Sequence, residues 1–293
     1  MESLLIADSG STKTDWAILV NSEKEKSSYK VQKLTTKGLN PFFQTIDEMT
    51  ETMYEVKKWL AENDYPNVLS SLSNIFFYGA GCAFPEKNAE VEKAIHLALE
   101  GNYTLFVNSD LLGAARALCG HSAGIACILG TGSNSCYYNG TEIIQQVSPL
   151  GFILGDEGSG AVLGKRFIGD LLKGQLPIAL REKFLKEYQL TLSTIIENVY
   201  KKPFPNRFLA SFSPFILENI EAENKLRILV KSTLTDFFTR NIMQYPNLPI
   251  HLTGSIAYYY QTLLKEIAQD LSLNIQSISP SPIESLIIYH QNK

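Results

Sequence analysis

The feature that most constrains this chain is a short apolar strand that runs into a small-residue turn and returns along a second strand, because the pattern occurs twice. Leu4 to Asp8 is an apolar run, Ser9 to Thr14 a polar turn, and Trp16 to Val20 a second apolar run. Further on, Gly124 to Leu129 is apolar, Gly130 to Ser133 is again a turn of small residues, and Cys136 to Tyr138 leads into Asn139-Gly140, a hairpin signal. One device used twice, more than a hundred residues apart, implies two related lobes.

Between the two turns, strand and helix patterns alternate. Pro41 sits as a first-turn proline for a helix running to about Glu62, with Phe42, Ile46, Met49, Met53, Val56 and Leu60 on one apolar face. Ile75 to Tyr78 reads as a strand ending in Gly79-Ala80-Gly81, Pro85 to Leu99 as a helix, Tyr103 to Val107 as a strand and Leu111 to Leu118 as a helix. This alternation predicts a mainly parallel sheet covered on both faces. After Gly155 the pattern turns mostly helical, through a long helix from Glu221 to about Tyr245. A strand then follows at Ile250 to Thr253, a helix from Ile256 to Leu271 and a last strand at Asn274 to Ile278. The expected fold is α/β with two lobes, residues 1–115 and 116–293.

The 293 residues carry 26 basic and 30 acidic side chains, with no basic run that would track a nucleic-acid backbone. No apolar stretch approaches the roughly 20 residues needed to cross a bilayer, and the opening residues lack the order of a signal peptide. A cytoplasmic protein is therefore expected, with neither nucleic acid nor membrane as partner. Cys82, Cys119, Cys127 and Cys136 form no CxxC pair, which favours buried free thiols.

Five segments could carry chemistry. In Asp8-Ser9-Gly10-Ser11-Thr12-Lys13-Thr14, Gly10 would let backbone amides approach a phosphate. Ser11, Thr12 and Thr14 would add hydroxyl donors, Lys13 charge, and Asp8 a ligand for hydrated Mg²⁺. An ordinary polar hairpin would look the same. Gly130-Thr131-Gly132-Ser133-Asn134 repeats this physics, and the pair favours a bound nucleotide. Asp110 falls where a strand gives way to a helix and reads equally as a helix cap or as a base at the carboxyl end of the strand. Gly155-Asp156-Glu157-Gly158-Ser159 reads either as a helix start capped by Asp156 or as two carboxylates for sugar hydroxyls. Thr253-Gly254-Ser255 fits a turn beside adenine or ribose, or a helix cap.

Taken together and in this order, these segments resemble the N-acetylglucosamine kinase branch of the BadF/BadG/BcrA/BcrD ATPase family, within the acetate and sugar kinase, Hsp70 and actin superfamily. The resemblance spans nearly the whole chain. It implies two ribonuclease H-like lobes with an interlobe nucleotide and sugar cleft, ATP and Mg²⁺ as cofactors, an amino sugar as substrate and a homodimer. By position it implies that Thr12 and Thr131 contact ATP phosphates and that Asp110 is the base for the sugar hydroxyl. Asn40, Gly151 and Asp156 would hold the sugar, and Gly254 with Ser255 would lie on the adenosine side. Pro149 and Leu150 depart from the glycine and tryptophan of the eukaryotic members, which leaves the acceptor open among amino sugars. Two other functions remain from the sequence: an ATP-driven activator holding an iron-sulfur cluster through Cys119 and Cys127, and a sugar sensor without catalysis.

Overall fold

Leu5, Ile6 and Ala7 are consecutive and all buried, which only a central strand covered on both faces allows. In the computed structural model, which describes residues 3–21, 29–62 and 68–291, this strand is the centre of the first of two compact units. That unit comprises Met1–His121 with Pro282–Lys293, and the second comprises Ser122–Ser281.

The first unit holds β1 (Ser3–Ser9), β2 (Lys13–Asn21), β3 (Tyr29–Lys37), β4 (Leu72–Gly79) and β5 (Thr104–Ser109), in the order β3-β2-β1-β4-β5. The β1-β2-β3 ladder is antiparallel, and β4 and β5 run parallel to β1. Its helices before the second unit are α1 (Ile46–Glu62), α2 (Val68–Ser71), α3 (Pro85–Ala98) and α4 (Asp110–Cys119). Leu5 and Ala7 pack with Met49, Met53 and Val56 of α1 and Val91 and Ile95 of α3, while Ile6 faces the opposite core. Helix α1 begins at Ile46, not at Pro41 as the sequence suggests. Thr45 and Glu48 form a capping box, with Glu48 N–H to Thr45 Oγ1 at 3.3 Å and Thr45 N–H to Glu48 Oε2 at 2.8 Å. Phe42 consequently leaves the helical face and stands exposed.

The second unit repeats the plan with β6 (Gly124–Leu129), β7 (Ser133–Tyr138), β8 (Ile143–Val147), β9 (Ile250–Thr253) and β10 (Ile275–Ser279), ordered β10-β9-β6-β7-β8. Again the hairpin strands are antiparallel, and β9 and β10 run parallel to β6. Position for position this is the sheet of the first unit, so the duplication suggested by the two turns is present in the topology of two ribonuclease H-like lobes. The sheets are mixed rather than mainly parallel, because in each unit the turn folds the first strand back into an antiparallel ladder.

Between β8 and β9 come α5 (Gly151–Leu154), α6 (Gly160–Leu172), α7 (Ile178–Glu187), α8 (Leu192–Tyr200), α9 (Pro205–Ala210), α10 (Ser213–Asn219) and α11 (Asn224–Arg240). The interior of this helical insertion is aromatic: Phe167, Phe184, Phe212 and Phe215 are all buried, with edge-to-face contacts of 5.0 to 5.2 Å from Phe184 to each of the other three. Helices α12 (Ser255–Tyr259) and α13 (Gln261–Asp270) complete the unit. The last helix, α14 (Ile283–Gln291), belongs to the first unit, so the second lobe ends at Ser281 rather than at residue 293. Its Ile283, Leu286 and Ile287 cover Ile6, Ala17 and Leu19, with Ala117 of α4 packed against the same cluster.

Candidate functional site

In the first unit the register of the parallel strands builds the site. Ser9 pairs with Gly79 and Gly79 with Ser109, so the carboxyl ends of β1, β4 and β5 stop on one line. Ligands of open α/β sheets lie beyond such ends. Asp8 stands one residue before that line and Asp110 one residue after it.

The β1–β2 turn closes by the Gly10 N–H donating to the Lys13 carbonyl at 2.9 Å, with Ser11 and Thr12 at the tip. The Gly38 N–H donates to the Thr12 carbonyl at 3.0 Å, which holds the end of β3 against the turn. Two side chains expected to be near phosphate, Thr14 and Lys13, are engaged differently. Thr14 is fully buried, lies 2.8 Å from Ser9 Oγ and donates to the Lys37 carbonyl at 3.2 Å, so it ties the hairpin together. Lys13 pairs with Asp15 at 2.6 Å.

Asp110 does not cap α4. Ser109 does, its Oγ accepting the Leu112 N–H at 3.2 Å, and Asp110 is the first helical residue, with its Oδ1 on the Leu111 N–H at 2.8 Å. Loss of water raises the Asp110 carboxyl to about 6 against the pull of those backbone amides. Asp8 rises to about 7, chiefly through burial and then through the negative charges of Asp110 and Asp15, with Lys13 opposing. Two neighbouring carboxylates that both resist ionisation make a place where a divalent cation would be welcome. Mg²⁺ usually borrows only one or two protein carboxylates, so this donor set fits it. Among the described residues no group of three or more His, Cys, Asp or Glu is placed to hold a metal.

Asn40 follows β3 and is buried, its Oδ1 accepting the Phe42 N–H at 2.9 Å. The Ala80 N–H donates to the Ser9 carbonyl at 2.8 Å, bringing the loop after β4 beside the same strand end. That loop, signalled in the sequence by Gly79-Ala80-Gly81, is a part of the site that motif reading did not include.

In the second unit the turn after β6 closes by the Gly130 N–H donating to the Gly132 carbonyl at 2.9 Å, with Thr131 at the tip. Helix α6 docks end-on to it: the N–H groups of Gly160 and Ala161 donate to the carbonyls of Gly130 and Thr131 at 2.8 and 3.1 Å. Ser159 caps the helix, accepting from the Val162 N–H at 3.2 Å, so three otherwise orphan amides are satisfied without Asp156. Asp156 instead adopts the left-handed conformation, with φ 54°, and its Oδ1 accepts the Ser133 N–H at 3.4 Å. A β-carbon on Gly132 would lie 3.1 Å from its Oδ2, so carboxylate and turn touch. Burial raises Asp156 to about 6. The adjacent Glu157 is buried and paired with Arg240 at 2.8 Å. Gly151, with φ 72°, opens the short exposed helix α5. Gly254 has φ 108°, and a side chain there would collide with the Leu129 carbonyl, so only glycine brings Ser255 and the start of α12 this close to the turn.

The structure thus gathers Asp8, Gly10 to Thr14, Asn40 and Asp110 in one unit. Gly130 to Ser133, Asp156, Gly254 and Ser255 form a second group in the other. The four cysteines are buried and form no disulfide, and burial pushes the Cys82 and Cys119 thiols up to about 12, where they stay protonated. No described helix is long and apolar enough to cross a membrane.

No family model matches the chain, and no curated protein matches it. Solved structures do. A glucokinase from Streptomyces griseus, in complex with glucose and AMPPNP, matches at 11% identity and TM-score 0.53 over 99% of this chain and 98% of its own. A candidate N-acetylglucosamine kinase from Chromobacterium violaceum matches at 16% and TM-score 0.72 over 99% of both chains. The doubled lobe is therefore the two-lobed fold of sugar kinases. A candidate N-acetylglucosamine kinase from Porphyromonas gingivalis is 48% identical over 99% of both chains, at TM-score 0.91. The chain belongs to the family of that Porphyromonas protein, among the sugar kinases.

Proposed function

We propose that the protein transfers the γ-phosphoryl group of ATP to a hydroxyl of an N-acetylated amino sugar such as N-acetylglucosamine, with Asp110 as the base. The observation that carries this reading is Asp110 itself. It stands past the end of β5, is freed from capping by Ser109, and its carboxyl is raised to about 6, so that it can both shed and accept a proton near neutral pH. Likeness over the full length to the Porphyromonas protein supports the sugar class.

Phosphoryl transfer asks for positioning and charge stabilisation more than for covalent work. The turns around Gly10 to Thr12 and Gly130 to Gly132 would contact the phosphates, and Gly254 with Ser255 would lie beside the adenosine. Asp8 would hold Mg²⁺, which when bound supplies charge neutralisation of the β- and γ-phosphates. Asn40, Gly151 and Asp156 would orient the sugar, and Asp110 would take the proton of the attacking hydroxyl. The membership this reading implies is the BadF/BadG/BcrA/BcrD ATPase group, as a cytoplasmic homodimer. Protonated, buried thiols disfavour the iron-sulfur activator.

The test is a coupled ADP-release assay against N-acetylglucosamine, N-acetylmannosamine, N-acetylmuramic acid, glucosamine and glucose, with Mg²⁺ and ATP. Sugar-dependent ADP release that is highest for an N-acetylated amino sugar is expected. A sugar that raises the melting temperature without releasing ADP would make the protein a sensor instead.

A further inference from the structure

Phe42 and Phe84 are 53% and 52% exposed, although the segments carrying them are tightly built. Their rings meet edge to face with centroids 6.3 Å apart. The 40–44 turn is fastened by the N–H groups of Phe43 and Gln44 donating to the Asn40 carbonyl at 3.0 and 3.1 Å. Lys87 of α3 donates to the Pro41 carbonyl at 3.2 Å and places its ammonium 5.4 Å from the Phe42 ring centre. Gly81, at φ 86°, backs onto both partners: a β-carbon there would lie 2.6 Å from Asn40 Oδ1 and 3.0 Å from the Phe42 ring. One loop, Gly79 to Phe84, therefore runs from the end of β4, beside Asp110, past Asn40 to the aromatic pair.

We propose that the Phe42–Phe84 corner is a subsite for the uncharged N-acyl substituent of the acceptor sugar, with room for acyl chains longer than acetyl. The inference rests on the kinase reading above, with Asn40 as a sugar contact. The chemistry of the corner selects the class. A rigid pair of half-exposed rings continuous with a polar group offers apolar contact to a substituent on a polar ligand. Lys87 and Glu90 neutralise each other through contacts of 2.9 and 3.1 Å, so the corner offers no net charge to draw a cationic or an anionic substituent. An amide-linked alkyl chain remains, its polar end beside Asn40 and its methylenes on the rings.

The experiment compares kcat/KM for glucosamine, N-acetylglucosamine and N-butyrylglucosamine in the wild type and in Phe84→Ala and Phe84→Leu, with thermal unfolding confirming that each variant is folded. At roughly 0.8 kcal/mol per buried methylene, burial of one or both added methylenes should make the wild type favour the butyryl over the acetyl sugar by about fourfold to fifteenfold. Phe84→Ala should bring that ratio to about one, and Phe84→Leu should keep most of it. Rejection of the butyryl sugar by the wild type, or a ratio unmoved by Phe84→Ala, overturns the subsite. Should the wild type phosphorylate none of these sugars, the kinase reading fails on its own. Calorimetric titration of N-butyrylglucosamine against glucosamine, in wild type and Phe84→Ala, then decides the subsite separately: acyl-dependent binding lost in the variant supports it, and equal or absent binding of the two overturns it.

Discussion

Ser109 and Asp110 divide two tasks at the end of β5: the Ser109 hydroxyl accepts the Leu112 amide at 3.2 Å, and the carboxylate beside it is left for chemistry. The division predicts opposite consequences for neighbouring substitutions. Asp110→Asn should lower kcat by about a hundredfold to ten-thousandfold, the usual contribution of a general base, with sugar and ATP binding retained. Its unfolding midpoint in urea should not fall, since no cap is removed. Ser109→Ala should cost about 1 kcal/mol in the same urea titration. A large stability loss in Asp110→Asn, or its full turnover, would return Asp110 to a structural role.

The acid side of the pH profile follows from the same residue. A base works only when ionised, and the Asp110 carboxyl titrates at about 6, so kcat/KM should climb with pH through that region and level off above it. The residual activity of Asp110→Asn should lack this limb. Asp8 lies close enough to influence the titration, so the two carboxyls lose their protons as a coupled pair, and added Mg²⁺ should move the limb to lower pH. A limb that stays in place in Asp110→Asn would assign it to another group.

Asp8 should also make the free protein less stable at neutral pH. Its folded-state value is raised from 3.8 to about 7, so between those limits the folded chain binds a proton that the unfolded chain does not. Stability therefore falls as pH rises through this window, and the full penalty stands above pH 7. Asp8→Asn should raise the melting temperature at pH 8 and lose that advantage as pH approaches 4. Mg²⁺ should stabilise the wild type at pH 8 more than the variant, because a ligand of the folded state adds stability in proportion to its occupancy. Equal melting temperatures of wild type and variant at pH 8 would contradict this account.

Much of this was legible in the sequence where chemistry and backbone coincide. The two glycine turns announce the repeated hairpin because a tight return between apolar strands has few other solutions, and Asp110 is placed by the end of an apolar strand. The parts that were not legible depend on competition between neighbours. In Asn108-Ser109-Asp110 either side chain can cap, and only the observed backbone gives the task to Ser109. In Gly155 to Ser159 the same ambiguity resolves toward Ser159, because α6 docks on the carbonyls of the turn and Asp156 is forced to positive φ. Pro41 looks like a helix start, yet the Thr45–Glu48 capping box wins five residues later. Helix α14 has no local signal of where it packs. Its destination is the apolar face of Ile6, Ala17 and Leu19, far away in sequence.

One hydroxyl adds a polar tie to that apolar contact. Arg116 of α4 donates to the Tyr78 oxygen at 2.9 Å, and the same oxygen lies 3.0 Å from His290 Nε2 on α14, so β4, α4 and α14 meet at one atom. An arginine can only donate, so the Tyr78 oxygen accepts from Arg116 while its hydroxyl shares a second hydrogen bond with His290 Nε2. Tyr78→Phe keeps the buried ring but leaves two nitrogen groups without the oxygen between them, a loss of about 1 to 3 kcal/mol. His290→Leu removes one of the same partners. The double variant should therefore lose clearly less than the sum of the two single losses, by at least about 0.5 kcal/mol. Denaturant titration of all four proteins measures this directly. Strict additivity would mean that the hydroxyl does not join the two helices, and that apolar contact alone holds α14 on the first unit.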